Sequence, residues 1–165
     1  MIARDEPGQA CADWVDAVFR TRDLAAAWPF TSFALRYMWV AGARADPGLM
    51  MHTAPELDTW PVFAARSLDS LTRTGGWLLD AHVDGVEMLT GEVASVVWRS
   101  DFPEAMSDTG EPQFGRKRVT MVYEAALTLE RMYWLVAGWD DLVADLATAT
   151  LQPVVRDATT PPAVT

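Results

Sequence analysis

Arg131-Met-Tyr-Trp-Leu-Val-Ala-Gly-Trp-Asp-Asp-Leu-Val143 closes a second half in which segments of alternating apolar and polar residues follow one another. Alternation with a period of two marks strands that bury one face. Working back, Met132 to Trp139 pairs with Lys117 to Leu129 as a last hairpin that turns near Leu129 to Arg131. Glu92 to Ser100 and Val86 to Leu89 read as earlier strand material, broken at Thr90-Gly91 by a bulge or a turn. Trp77 to Val83 reads as a further strand, with Asp84-Gly85 as the turn after it, and Phe102 to Gly115, rich in Pro, Gly, Ser and Asp, as a long loop.

The first half has helical spacing. Pro7 suits a first helical turn, and Cys11, Trp14, Val15, Val18 and Phe19 recur at three and four residues with Asp13, Asp16, Arg20 and Asp23 opposite. After Pro29, Thr31 or Ser32 can cap a second helix over Phe33 to Ala43, apolar on almost every side, so Leu35, Met38 and Trp39 are expected to be buried, either in the interior or against another subunit. Leu49 to Thr53 reads as a short strand or an extended connection. A third helix runs from Pro61 to about Arg73 and stops at Gly75-Gly76. Strands arriving together after helices give an α+β fold, a curved antiparallel sheet wrapped around about three helices. Residues 1–150 form one domain, and residues 151–165, with Pro153, Pro161 and Pro162, form an exposed tail.

Composition narrows the function. A net charge of −10 repels phosphate backbones and anionic lipid, so neither nucleic acid nor a membrane is an expected partner. The basic run Arg116-Lys117-Arg118 reads as a solvated strand end. Cys11 is the single cysteine, which leaves no internal disulfide and no cysteine zinc site. Acids and a proline stand in the first eight residues where a signal peptide needs an apolar core, and no run reaches the ~18 apolar residues of a span, so a cytoplasmic protein is expected. Lys occurs once, Asn never and Ile only at position 2, a bias that fits translation from a GC-rich genome. No phosphate loop or nucleophile elbow is present, no Cys/His pair is placed for nucleophilic work, and no nucleotide cofactor or metal is expected.

Two helices, a short extended piece, a third helix and long antiparallel strands ending in Trp134-Leu-Val-Ala-Gly-Trp-Asp140 follow in an order similar to the NTF2-like superfamily. Ketosteroid isomerases, scytalone dehydratases, SnoaL-type cyclases and many non-enzymatic domains share that cone-shaped fold. The resemblance spans roughly residues 8 to 145 and is weakest at residues 49 to 54. It implies a conical pocket between the first helices and the sheet, often holding a carboxylate or an imidazole.

His82 is the sharpest candidate, because imidazole titrates near neutrality and Asp80 or Asp84, two residues away on the same strand face, can orient it. The pattern alone turns Asp80, His82 and Asp84 to solvent while Trp77, Leu79, Ala81 and Val83 pack inward. His52 is the second candidate base, between Met50, Met51 and a loop. Tyr37 and Tyr123 sit in apolar segments and can donate to a developing oxyanion. Glu124 is either exposed or held in the pocket. Asp16 can reach the mouth of the cone, and Trp98, Trp134 and Trp139 are core rings of which one can line a ligand site.

The expected function is cofactor-independent acid/base chemistry of the isomerase, dehydratase or cyclase type on an apolar small molecule. The alternative is a non-catalytic ligand-binding or interaction domain. A homodimer is expected in either case, with Val93, Val97 and Val119 as apolar candidates on the outer sheet face.

Overall fold

The computed structural model describes residues 6–45, 60–126 and 131–140, with side chains left out at 40–45 and 62. The expected strand at 49–53, His52, the turn at 129–131 and the tail from 151 lie wholly or mainly outside them.

Helix α1, Pro7–Val15, starts with its proline at the first turn and buries Ala10, Cys11, Trp14 and Val15. It runs on into a π-helical turn, Asp16–Arg20, that buries Val18 and Phe19. Arg22 then takes a positive φ of 55°, and its guanidinium donates to Asp69 at 2.8 Å, tying this bend to a later helix. Asp23 accepts from the Ala26 amide at 3.0 Å and starts the one-turn α2, Leu24–Ala27.

Thr31 bridges in parallel to Val136, and the Ser32 amide donates to the Val136 carbonyl at 2.9 Å. Of the two expected caps, the Ser32 hydroxyl does the capping, accepting from the Leu35 amide at 3.2 Å at the start of α3, Phe33–Ala45. Thr31 serves the core instead, accepting from the Trp14 indole at 3.0 Å while donating to the Ala27 carbonyl at 2.9 Å. Glu124 is neither free in solvent nor a pocket acid: its carboxylate accepts from the Phe33 amide at 3.0 Å. Within the chain Leu35 and Arg36 are buried, and Met38 and Trp39 are half-buried.

Helix α4, Trp60–Gly75, ends at the expected glycines. A Cβ on Gly75 would run into the Phe19 ring, so this position must stay bare for α4 to meet the π turn. Gly75→Ala is expected to cost about 1–3 kcal/mol in urea unfolding, the range for forcing extra volume into a packed site. Trimming Phe19 to Leu in the same chain should return most of that loss.

One antiparallel sheet carries the order β1-β2-β3-β4, with β1 Ala81–Met88, β2 Val93–Met106, β3 Pro112–Ala125 and β4 Met132–Trp139. The chain is thus α+β, an open four-stranded sheet with α1 packed across it. Three expected elements need correction. Residues Gly76–Asp80 form a 3-10 helix, because the chain tightens after α4 to bury Leu78, and alternation over so few residues cannot tell that turn from a strand. Asp84-Gly85 is a bulge inside β1, where the register slips between Val83 and Gly85.

The third correction concerns the expected loop at 102–115, most of which is strand. Pro103 sits where the ladder is already interrupted, with register shifts on both sides of it, and Pro112 is the first residue of its strand, the places where a sheet tolerates proline. The actual turn is Ser107 to Glu111, with Gly110 at a φ of 83° that favours glycine.

The basic run lies inside β3 rather than at a strand end. Arg116 pairs with Asp84 at 3.3 Å, Arg118 with Glu87, and Lys117 sits 5.2 Å from the Trp77 ring. Val119 is also corrected: it is buried in the core, not on an outer face, while Val93 and Val97 are half-buried.

Candidate functional site

Aromatic rings occupy the space between helices and sheet. Trp39 stacks on Trp14 and Trp28 at 6.2 and 5.8 Å, and Trp28 meets Trp60 and Phe63 edge-on at 5.4 and 5.5 Å. Trp139 packs on Trp14 at 5.9 Å and on Phe19 at 6.1 Å. Trp14, Trp28 and Trp139 are fully buried.

Among the described residues a cleft of ≈ 440 Å³ opens on a flank, between α1 with its π turn on one side and the 3-10 helix with β1 on the other. Ala12, Val15, Leu78, Leu79, Ala81, Val83 and Trp98 give it an apolar lining, and Glu6, Gln9, Asp16, Arg20 and His82 give it polar groups. Gly8 also lines it, and a Cβ there would press the Val86 side chain at 2.9 Å. The Trp98 indole is turned away to Cys11, donating to Sγ at 3.4 Å. Burial pushes the Cys11 thiol up to about 12, against the opposing effect of that hydrogen bond.

His82 is on the cleft wall, with its side chain 54% exposed. Its partner is neither Asp80 nor Asp84. Asp80 falls in the 3-10 helix, off the strand, and Asp84 pairs with Arg116. Asp101, on neighbouring β2, meets His82 Nδ1 at 2.7 Å. The sequence carried no sign of this partner, because a cross-strand neighbour is set by register, and here Ala81 stands opposite Ser100.

Asp16 is a cleft residue, held by Arg20 at 3.0 Å, and Trp98 contributes an inner wall. The other candidates stand apart from the cleft. Trp139 is core, Tyr123 is 37% exposed beside Trp134 at 5.4 Å, and Tyr37 is half-buried 6.2 Å from the Phe33 ring. Among the described residues no three His, Cys, Asp or Glu side chains converge as a metal would need, and no helix is long and apolar enough to cross a membrane.

Comparison with protein-family models, with curated proteins and with solved structures returns no match.

Proposed function

We propose that the chain is a small-molecule-binding domain of the NTF2-like kind, whose working site is the flank cleft beside α1, and that it holds its ligand without transforming it. Ring packing carries this reading. A catalytic cone needs an interior that admits substrate and excludes water, and among the described residues Trp14, Trp28 and Trp139 pack between helices and sheet fully buried, with no face open to a ligand. The cleft, at ≈ 440 Å³, lies within the size range of small-molecule sites and combines an apolar lining with a few polar groups.

Acid/base catalysis remains a second reading on one observation, the 2.7 Å contact that fixes His82 on Asp101 beside the cleft. Exposures of 54% and 44% for the two side chains weigh against it, since proton transfer gains from a site that water does not flood. His82→Ala separates the two. On the binding reading the variant keeps its stability within about 0.5 kcal/mol, and no turnover changes. A loss of roughly a hundred-fold or more in turnover of any compound found to react would replace it with the catalytic reading.

We also read the chain as a homodimer. Val86, Met88 and Leu89 are exposed together near the β1–β2 turn, an apolar surface that a second copy would cover. Light scattering at micromolar concentration is expected to give twice the 18.2 kDa chain mass, and the mass of one chain would count against a dimer.

A further inference from the structure

We infer that the flank cleft selects an apolar α-amino acid in its zwitterionic form, an inference that rests on the cleft being the ligand site. The head group lies on the Asp16–Arg20 pair. Both residues belong to the π turn, which brings them to the cleft lining with their charges 3.0 Å apart. That contact uses one carboxylate oxygen and one guanidinium nitrogen, and the side chains are 48% and 69% exposed. The second Asp16 oxygen and most of the Arg20 N–H groups therefore stay open to a ligand.

An α-ammonium and its carboxylate, one carbon apart, carry opposite charges at a spacing close to that of the pair. Laid against it head to tail, the ammonium donates to Asp16 and the carboxylate accepts from Arg20, so each charge faces its opposite. An ammonium alone meets the Arg20 charge with nothing to offset it. Arg20 is the single guanidinium or ammonium among the described lining residues and Glu6 adds a second acid, so a carboxylate alone has one partner and two opponents. Ala12 and Val15, just before the π turn, begin an apolar lining that Leu79, Val83 and Trp98 continue, and this receives the ligand's side chain. A zwitterion has no net charge, so the excess acid of the whole chain, −10, leaves its binding to this local pattern.

The test titrates the full chain by calorimetry with L-phenylalanine, with 2-phenylethylammonium, which lacks the carboxylate, and with 3-phenylpropanoate, which lacks the ammonium. Phenylalanine is expected to bind about fivefold or more tighter than either, as charge-assisted hydrogen bonds at an exposed site allow. Arg20→Gln should remove its advantage over 2-phenylethylammonium, and Asp16→Asn its advantage over 3-phenylpropanoate. Both side chains are exposed, so losing their pair costs little stability and the variants fold. Backbone amide shifts on the native chain should move at Ala12, Leu79 and Val83, which locates the probe without relying on a variant.

If either singly charged probe binds as tightly as phenylalanine and moves those same amides, or if the two substitutions leave the preference intact, the zwitterion inference is overturned while the cleft stands as the site. If no probe binds, or if the shifts fall elsewhere, the cleft itself is overturned and the zwitterion inference with it.

Discussion

Trp28→Ala is expected to lower the free energy of unfolding by about 3–5 kcal/mol, the range for removing a large buried ring. Trp28 has no exposed surface and touches Trp39, Trp60 and Phe63, so its removal opens a space that three other rings frame. Those rings come from α3 and α4, which would have to move together to close it. Phe102→Ala serves as the control: that ring is 65% exposed, and its loss should cost within about 0.5 kcal/mol. Urea unfolding of both variants decides the matter, and equal losses would mean that the aromatic cluster does not hold these helices together.

Alkaline pH should expose the second large effect, through Cys11. Burial raises its thiol from the ordinary 9.0 to about 12 in the folded chain, while the unfolded thiol titrates near the ordinary value. Below pH 9 both states keep the proton and the thiol's contribution is fully present. Between about 9 and 12 only the unfolded chain releases it, so stability falls by about 1.4 kcal/mol per pH unit and levels off above the folded value.

Other groups titrate in that range, so the difference from Cys11→Ala isolates the thiol. The wild-type chain should lose stability faster than the variant from pH 9 upward, and parallel curves would show that Cys11 ionises without unfolding. A thiol-directed reagent at pH 8 should likewise leave the native chain unmodified and label it in urea, because the thiolate is the reactive form.

Much of the architecture was legible because its causes are local. Pro7, the Cys11-Trp14-Val15-Val18 stripe, the Gly75-Gly76 stop and the alternation from Met132 to Trp139 each act within a turn or a strand, and each element stands near its expected place. Failures came where a distant partner decides. Trp77 to Asp80 curl into a 3-10 turn while Trp77 donates to Glu104 at 2.7 Å and Leu78 enters the core, contacts no window of sequence contains. Pro103 and Gly115 looked like loop residues, yet Pro103 lies where the ladder slips and bare Gly115 leaves room for the Glu104 side chain.

The candidate site was legible only in part. His82 stood out by residue type, Asp16 by its place at the edge of an apolar stripe, and Trp98 as a ring in a buried strand. Asp101 did not, because its reach to His82 is a product of β1–β2 register. Nor did Glu6 and Gln9, which look like ordinary helix-start residues until β1 is brought beside them.

The slip at Asp84 bears on how these molecules behave when crowded. β1 stands at one end of the sheet order, and among the described residues no strand pairs along its outer side. A straight edge of eight residues would offer a neighbour a regular row of amides and carbonyls, the starting template of fibril growth. The extra residue between Val83 and Gly85 puts that row out of step halfway along, so an incoming strand in register with one half is out of register with the other. His82, Asp84 and Glu87 add charge or polarity along the same strand. One inserted residue thus makes β1 a poor template, so that any backbone pairing along this edge is confined to half of its length.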